Sequence, residues 1–191
     1  MTKTSSYHHG NLRQDLLDAA LGLLDEQGVE AIGIRQIAKL CGVAHSAPAN
    51  HFKNKQELLQ AVNEYIVEHL IDHVKTGMEL NAQKEQEAIQ VFLNLMLEYG
   101  LTYPNRYRLV WRSEIPLVDA MEEIYEILTG ILSGYASKKG FDVESQAIAV
   151  WSLVHGYVAL RLDGHLSTGI DDVNGMKRQD AIIQVMLDGI R

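Results

Sequence analysis

The sequence predicts an all-α protein with a small three-helix head, a long connecting helix and a larger helical body. Three observations carry this. Apolar residues recur at three- and four-residue spacing along almost the whole chain, without the alternation a strand requires. Around Gly42, one short apolar pattern (Ile34, Ile37, Ala38, Cys41) stops and another (Val43, Ala47, Phe52) restarts, separated by a residue free to turn with positive φ. Beyond Asn54, the stripe Leu58, Leu59, Val62, Ile66, Leu70 and Val74 is long enough to join two domains.

The elements follow in order. Asn11, with Gln14 three residues on and Asp15 in the first turn, forms a capping box for a helix whose stripe is Leu16, Leu17, Ala20, Leu21 and Leu24, and Gly28 suits its stop. The second helix spans the Ile34–Cys41 pattern, with Gly33 where a capping hydroxyl is common. A third begins near Ala44, which offers no side-chain acceptor; Ser46 is the alternative cap, placing Pro48 in the first turn, where proline is tolerated. Two short helices joined by a glycine turn form the unit that lays its second helix in the major groove of DNA, and the first helix must close their core.

Asn54-Lys55-Gln56-Glu57 is a second capping box, opening a helix through about Leu80. Ala88, Val91, Phe92, Leu95 and Tyr99 mark the next helix, ending before Pro104. Asn105 to Trp111 reads as a short one. Leu117, Met121, Ile124, Tyr125, Leu128, Leu132 and Tyr135 mark another after Pro116. From Ala147 to Leu162 the pattern is apolar nearly all round, so this helix needs burial on every side, at the centre of a subunit or at a subunit interface. The last helix has two stripes, Ala181, Ile182, Val185 and Met186 beside Ile183, Leu187 and Ile190; one can face the subunit and the other a second copy. Asp163 to Gly175 is the loop between them.

Charge divides the chain. The net charge is −8, yet residues 1–60 balance six basic against six acidic side chains, so the whole acidic excess lies beyond them. A neutral head on an acidic body fits a head that meets phosphates while the body stays clear of the duplex. No apolar run approaches the ~20 residues of a membrane span, and the polar start Met1 to Ser6 has no secretory segment, which places the expected protein in the cytoplasm with no membrane partner. The single cysteine, Cys41, excludes an intrachain disulfide and lies on an apolar stripe, so it is expected to pack as a small hydrophobe.

Gly28, Ile34-Arg35-Gln36-Ile37-Ala38, Gly42-Val43, Ala47, His51-Phe52 and Lys55 together resemble the signature of TetR-type transcriptional regulators. Tyr7-His8-His9-Gly10-Asn11-Leu12-Arg13 and Trp151-Ser152-Leu153-Val154-His155-Gly156 resemble the subgroup whose regulatory domain is named for Trp, His and Gly. The resemblance implies a helix-turn-helix DNA-binding domain over residues 1–55 and a helical effector-binding and dimerisation domain over 56–191. It also implies a two-fold four-helix interface through the last two helices. Two heads would then read an inverted repeat in double-stranded DNA, and a small, largely apolar effector would release them. Neither a cofactor nor a metal is expected. The chain departs from the family at Gly33, Ala44 and Ala49, the last standing where a phosphate-contacting Tyr is usual.

The candidate DNA-binding residues are Arg35, His45, Ser46, Ala47, Asn50, His51, Lys53 and Lys55. Asn pairs bidentately with adenine, His and Ser reach bases or backbone, and Lys55 opens a helix whose N-terminal dipole favours phosphate. The arm Tyr7-His8-His9 with Arg13 adds candidate backbone contacts. For the effector, aromatic and polar residues on inward faces of the body helices are the candidates: Met96, Tyr99, Tyr103, Tyr107, Trp111, Tyr125, Trp151 and His155. Each also reads as core, and His155 as a core histidine satisfied by a neighbour. His69 and His73, four apart and continuing the Val62–Ile66 stripe inward, would suit one metal, a pocket's polarity or plain structure. Two rival functions follow: a metal sensor or helical enzyme built on that pair, and a degenerate regulator acting through protein contacts. No phosphate loop, nucleophile elbow, cysteine cluster or paired-carboxylate motif supports catalysis.

Overall fold

The computed structural model describes residues 11–81, 85–112, 119–140, 142–166 and 168–190. The protein is all-helical. The head consists of α1 (Leu12–Gln27), a 3₁₀ turn (Val29–Ala31), α2 (Ile34–Leu40) and a second 3₁₀ turn (Ala47–Asn50). The body consists of α3 (Lys55–Asn81), α4 (Glu85–Thr102), α5 (Pro104–Val110), α6 (Ala120–Lys139), α7 (Val143–Leu162) and α8 (Arg178–Ile190). Among the described residues the only strand-like pairing is an isolated bridge between Ile170 and Lys177 in the α7–α8 loop.

Caps set the ends of the helices. The Asn11 side chain accepts from the Gln14 N–H, while Gln14 turns forward to Asp18 at 2.9 Å instead of closing the box. Gly28, at φ 83°, stops α1 with its N–H on the Leu24 carbonyl. The box at α3 is complete: the Glu57 N–H donates to Asn54 Oδ1 at 2.9 Å, and Glu57 reaches back to the Lys53 N–H at 2.8 Å. At the N-terminus of α2, Gly33 supplies no side-chain hydrogen bond.

The recognition segment departs from expectation. Instead of an α-helix, the four residues Ala47 to Asn50 make a 3₁₀ turn, and the Ser46 hydroxyl does not cap it. Pro48, buried within it, has no N–H to donate, and neither Ala44 nor Ser46 provides an acceptor for the first turn, so α-helix cannot nucleate cheaply there.

One continuous apolar core runs from Leu16 and Leu24 in the head through Ile66 and Val74 of α3 to Leu93, Ile124, Val150 and Leu187 of the body. Cys41 is buried in it, its thiol against the Asp15 carbonyl at 3.4 Å. Close packing relies on Gly77 and Gly100. A Cβ on Gly77 would lie 2.4 Å from a Leu95 methyl, and one on Gly100 would lie 2.9 Å from Val158 and 3.2 Å from Tyr107. A Cβ on Gly156 would meet nothing within 4 Å among the described residues.

Helix α7 is not buried all round. Ile148 (55%) and Leu160 (43%) are exposed, as is Val185 of α8 (74%), while Ile183 and Leu187 of the other α8 stripe are buried. The side chains of Tyr135 and Ile190 lie outside the described residues, as do Pro116, Leu117 and the arm Tyr7 to His9.

Because Val158 is fully buried and β-branched, it cannot swing away from a new methyl. Gly100→Ala is therefore expected to destabilise the subunit by about 1–3 kcal/mol in urea titration. Gly156→Ala, with open space around it and a better helix former in place, should leave subunit stability unchanged or raise it by up to about 1 kcal/mol.

Candidate functional site

The turn after α2 and the start of α3 carry most of the head's expected site residues. Arg35, His45, Ser46, Asn50, Lys53 and Lys55 are exposed, and Ala47 and His51 are half-buried. Phe52 and Pro48 anchor this segment in the core, and the Arg13 guanidinium lies 5.5 Å from the Phe52 ring centroid. Apolar anchors thus leave the polar side chains outward. Six of the eight expected DNA-binding residues are therefore exposed to solvent and two half-buried. Ala49 is exposed as well, with no side chain to reach a phosphate.

Head and body meet at α5. Arg106 is 9% exposed, and its Nε and Nη2 donate to the two carboxylate oxygens of Asp25, at the end of α1, at 2.8 and 2.6 Å. A bidentate guanidinium–carboxylate pair fixes angle as well as distance. The guanidinium also stacks on Tyr103, 4.3 Å from the ring centroid. The Asp25 partnership raises the Arg106 pKa above its ordinary value, so its charge is permanent. Asn105 donates to the Asp25 carbonyl at 3.1 Å, and Arg112, two residues past α5, pairs with Glu30 at 3.0 Å, so three side chains of α5 and its C-terminal flank tie it to α1 and the following turn. Neither Asp25 nor Arg106 stands out in the sequence as a site residue; the signal present was an Arg two residues after Pro104, between Tyr103 and Tyr107.

The expected effector residues fall into two groups. Tyr99 and Tyr103 stack on each other at 5.0 Å and lie against His69. The Tyr99 hydroxyl contacts His69 Nδ1 at 3.4 Å and the Ile66 carbonyl at 3.3 Å, and burial pushes its pKa up to about 12. In the second group, Trp111, Trp151 and His155 pack edge to face, the Trp111 and His155 centroids 3.9 Å apart and those of Trp151 and His155 5.1 Å apart, and Tyr107 lies tilted against Trp111 and His155. The Tyr107 hydroxyl meets His155 Nδ1 at 2.6 Å, whereas His155 Nε2 is buried without a hydrogen-bond partner. Burial lowers the His155 pKa to about 4 and raises that of Tyr107 to about 12, so both are neutral at physiological pH. Met96 is buried in the core, and Tyr125 packs half-buried against it.

His69 and His73 do not continue the Val62–Ile66 stripe inward: His69 is exposed and His73 half-buried. They line an open groove of about 410 Å³ along α3 together with Asp72 and Thr76. Gly77, Leu80 and Leu95 form its apolar end. Among the described residues, no cluster of three or more His, Cys, Asp or Glu side chains has the arrangement to hold a metal. No helix among them is long and apolar enough to cross a membrane.

Comparison with known proteins agrees with this geometry. Residues 16–62 match the family profile described as "Bacterial regulatory proteins, tetR family", and residues 89–186 match "Tetracyclin repressor-like, C-terminal domain". The body match is to that domain and not specifically to the Trp-His-Gly subgroup; six residues on one helix are too short a signal to separate related helical bodies. The HTH-type transcriptional regulator BetI of Serratia proteamaculans is 37% identical over 67 residues, 35% of this chain and 34% of BetI, so the match spans about a third of that relative. In structure, a protein of unknown function from Rhodococcus sp. RHA1 superposes with a TM-score of 0.78 at 23% identity, covering 98% of this chain and 97% of that one. The regulator FadR of Bacillus subtilis, solved in complex with stearoyl-CoA, gives a TM-score of 0.68 at 18% identity over 94% of this chain and 100% of that one.

Two outcomes follow from these contacts. Asp25→Asn leaves a buried cation with a neutral partner and is expected to cost about 1–3 kcal/mol of unfolding free energy in urea titration. His155 gains a proton in the unfolded chain below its ordinary value of 6.5 but in the folded chain only near 4, so the unfolded state binds more protons in that window. Stability should therefore fall by about 1–2 kcal/mol between pH 6.5 and 4, allowing for partial solvent exposure. In a pH series of denaturation curves, His155→Phe should lack that component.

Proposed function

The chain belongs to the TetR family of transcriptional regulators rather than to any class of enzyme, and we propose that it works as a ligand-responsive homodimer that represses transcription from an inverted-repeat operator. The observation that carries this is the exposed polar surface of the head, with Phe52 and Pro48 fixing the turn beneath it. His45, Ser46, Asn50 and His51 are the base-reading side chains; Arg35, Lys53 and Lys55 contact phosphates, and Ala47 packs close to the groove. Lys55, the first residue of α3, adds its charge to the N-terminal dipole of a 27-residue helix.

Dimerisation through α7 and α8 is supported by what the subunit leaves uncovered. Ile148 and Leu160 lie on one α7 face with Gly156, and Val185 is exposed on α8. The space beside Gly156 is where a partner helix would approach. Two heads then meet half-sites about one helical turn apart, ~34–36 Å, or a multiple of it. The regulator works in the cytoplasm.

The effector acts on α5. Tyr107 and Trp111 belong to the aromatic group with Trp151 and His155, and Arg106, their neighbour on the same short helix, grips Asp25 of the head. A ligand that parts the rings shifts α5 and with it the joint to α1. The long apolar acyl chain of stearoyl-CoA, with which FadR was solved, supports a largely apolar effector here. Driving the operator-competent state from 99:1 to 1:99 takes ~5.5 kcal/mol of differential affinity.

A fluorescent duplex from the chain's own upstream region, compared with an unrelated duplex by anisotropy at several salt concentrations, tests the reading. Preferential binding that weakens with salt is expected; Lys55→Ala should lower the salt slope by about 1, and Asn50→Ala should lose about 1–3 kcal/mol of preference. Equal, weak binding to both duplexes would contradict it.

A further inference from the structure

We infer that the recognition turn reads A·T base pairs, with Asn50 on adenine and the methyl groups of Ala44 and Ala49 on thymine, so that each operator half-site is A·T-rich at its centre. This readout rests on the operator binding proposed above.

Four side-chain chemistries tell bases apart in the major groove. Arg or Lys pairs with guanine, Asp or Glu accepts from cytosine, Asn or Gln pairs with adenine, and a small apolar group packs on the thymine methyl. Between Gly42 and Phe52 the first two kinds are missing, since no Arg, Lys, Asp or Glu occurs there. The other two are present and outward. Pro48 and Phe52 are buried, while Ala44, Ala49 and Asn50 are exposed, along with His45 and Ser46. The Asn50 side chain makes no hydrogen bond within the described residues, so its oxygen and its N–H groups are both free for adenine N6 and N7. His45, Ser46 and His51 offer single hydrogen-bonding points rather than a fork, and they select no one base.

Charged groups flanking the turn are committed elsewhere. Glu57, the nearest carboxylate along the chain, accepts from the Lys53 N–H at 2.8 Å and closes the cap of α3. Lys53 and Lys55 follow the buried Phe52 at the entry to α3, where phosphate is the favoured partner. The Arg13 guanidinium lies 5.5 Å from the Phe52 ring centroid.

Spacing suits the pairing. Ala49 and Asn50 are successive residues of a 3₁₀ turn, which rises about 2.0 Å per residue, less than the ~3.4 Å between stacked base pairs. They therefore meet one base pair or two neighbours, and adenine N7 and the thymine methyl are the two ends of a single major-groove edge. Ala44 and Ala49, where the chain departs from the family, thus acquire a partner of their own.

Selection from a random duplex library with the full chain, followed by anisotropy on the enriched half-site, tests this. A·T pairs are expected at the half-site centre, with adenine preferred over guanine there by about 5- to 150-fold. Replacing the half-site thymines by deoxyuridine removes only the C5-methyl and should weaken binding at least about threefold. The double variant Ala44→Gly with Ala49→Gly should bind the two duplexes equally, whereas Asn50→Ala should lose the adenine preference and keep the uracil penalty. Each readout compares two duplexes on one protein, so a partly unfolded variant does not mimic it. Guanine or cytosine at the half-site centre, equal wild-type binding of thymine and uracil duplexes, or a uracil penalty that survives the glycine pair would each overturn the A·T readout and leave operator binding standing. Enrichment of no sequence would sink both.

Discussion

The half-buried ion pair between Arg106 and Asp25 is the constraint on which the arrangement of head and body depends. A guanidinium at 9% exposure must be paired, because an isolated buried charge costs several kcal/mol. Here it is satisfied from two sides: two carboxylate oxygens in the fork geometry and the Tyr103 face. Such a pair contributes less to total stability than to orientation, since moving α1 by an ångström breaks both short bonds together. Apolar packing between head and body can slide. This joint cannot, and so it fixes the angle between α5 and the head.

That role explains why so short a helix carries so much. Seven residues from Pro104 to Val110 contribute Arg106 to the head joint and Tyr107 to the aromatic group, with Trp111 just beyond. Pro104 sets the start of α5 and lacks the N–H that would otherwise be orphaned there. Adjacent residues on a helix point about 100° apart, so one face meets α1 while another meets α7. Tyr107 and His155 are both kept neutral by burial, and a ligand entering there meets hydrogen-bonding groups without charges.

Most of the fold was legible in the sequence because helical periodicity, two prolines and two Asn caps each act locally. The Asn54–Glu57 box, the short helix between the prolines and the long α3 stripe all lie where their spacing places them. The recognition segment was legible as a surface but not as a conformation: the absent caps at Ala44 and Ser46 and the missing N–H of Pro48 shift the balance from α-helix to a 3₁₀ turn. The joint was not legible at all. Asp25 and Arg106 are 81 residues apart, and nothing in either neighbourhood says which carboxylate an arginine will meet. Likewise, periodicity placed His69 on the buried stripe, whereas the groove between α3 and Leu95 leaves that stripe's end open to solvent.

Hydroxyl-radical footprinting of the chain's upstream DNA measures the central claim most directly, because it reads both heads at once. The account predicts two equivalent protected patches related by a two-fold axis, with centres one helical turn or a small multiple apart. A single unsymmetric patch would contradict the paired heads. No protection even at low salt would show that this head does not read DNA.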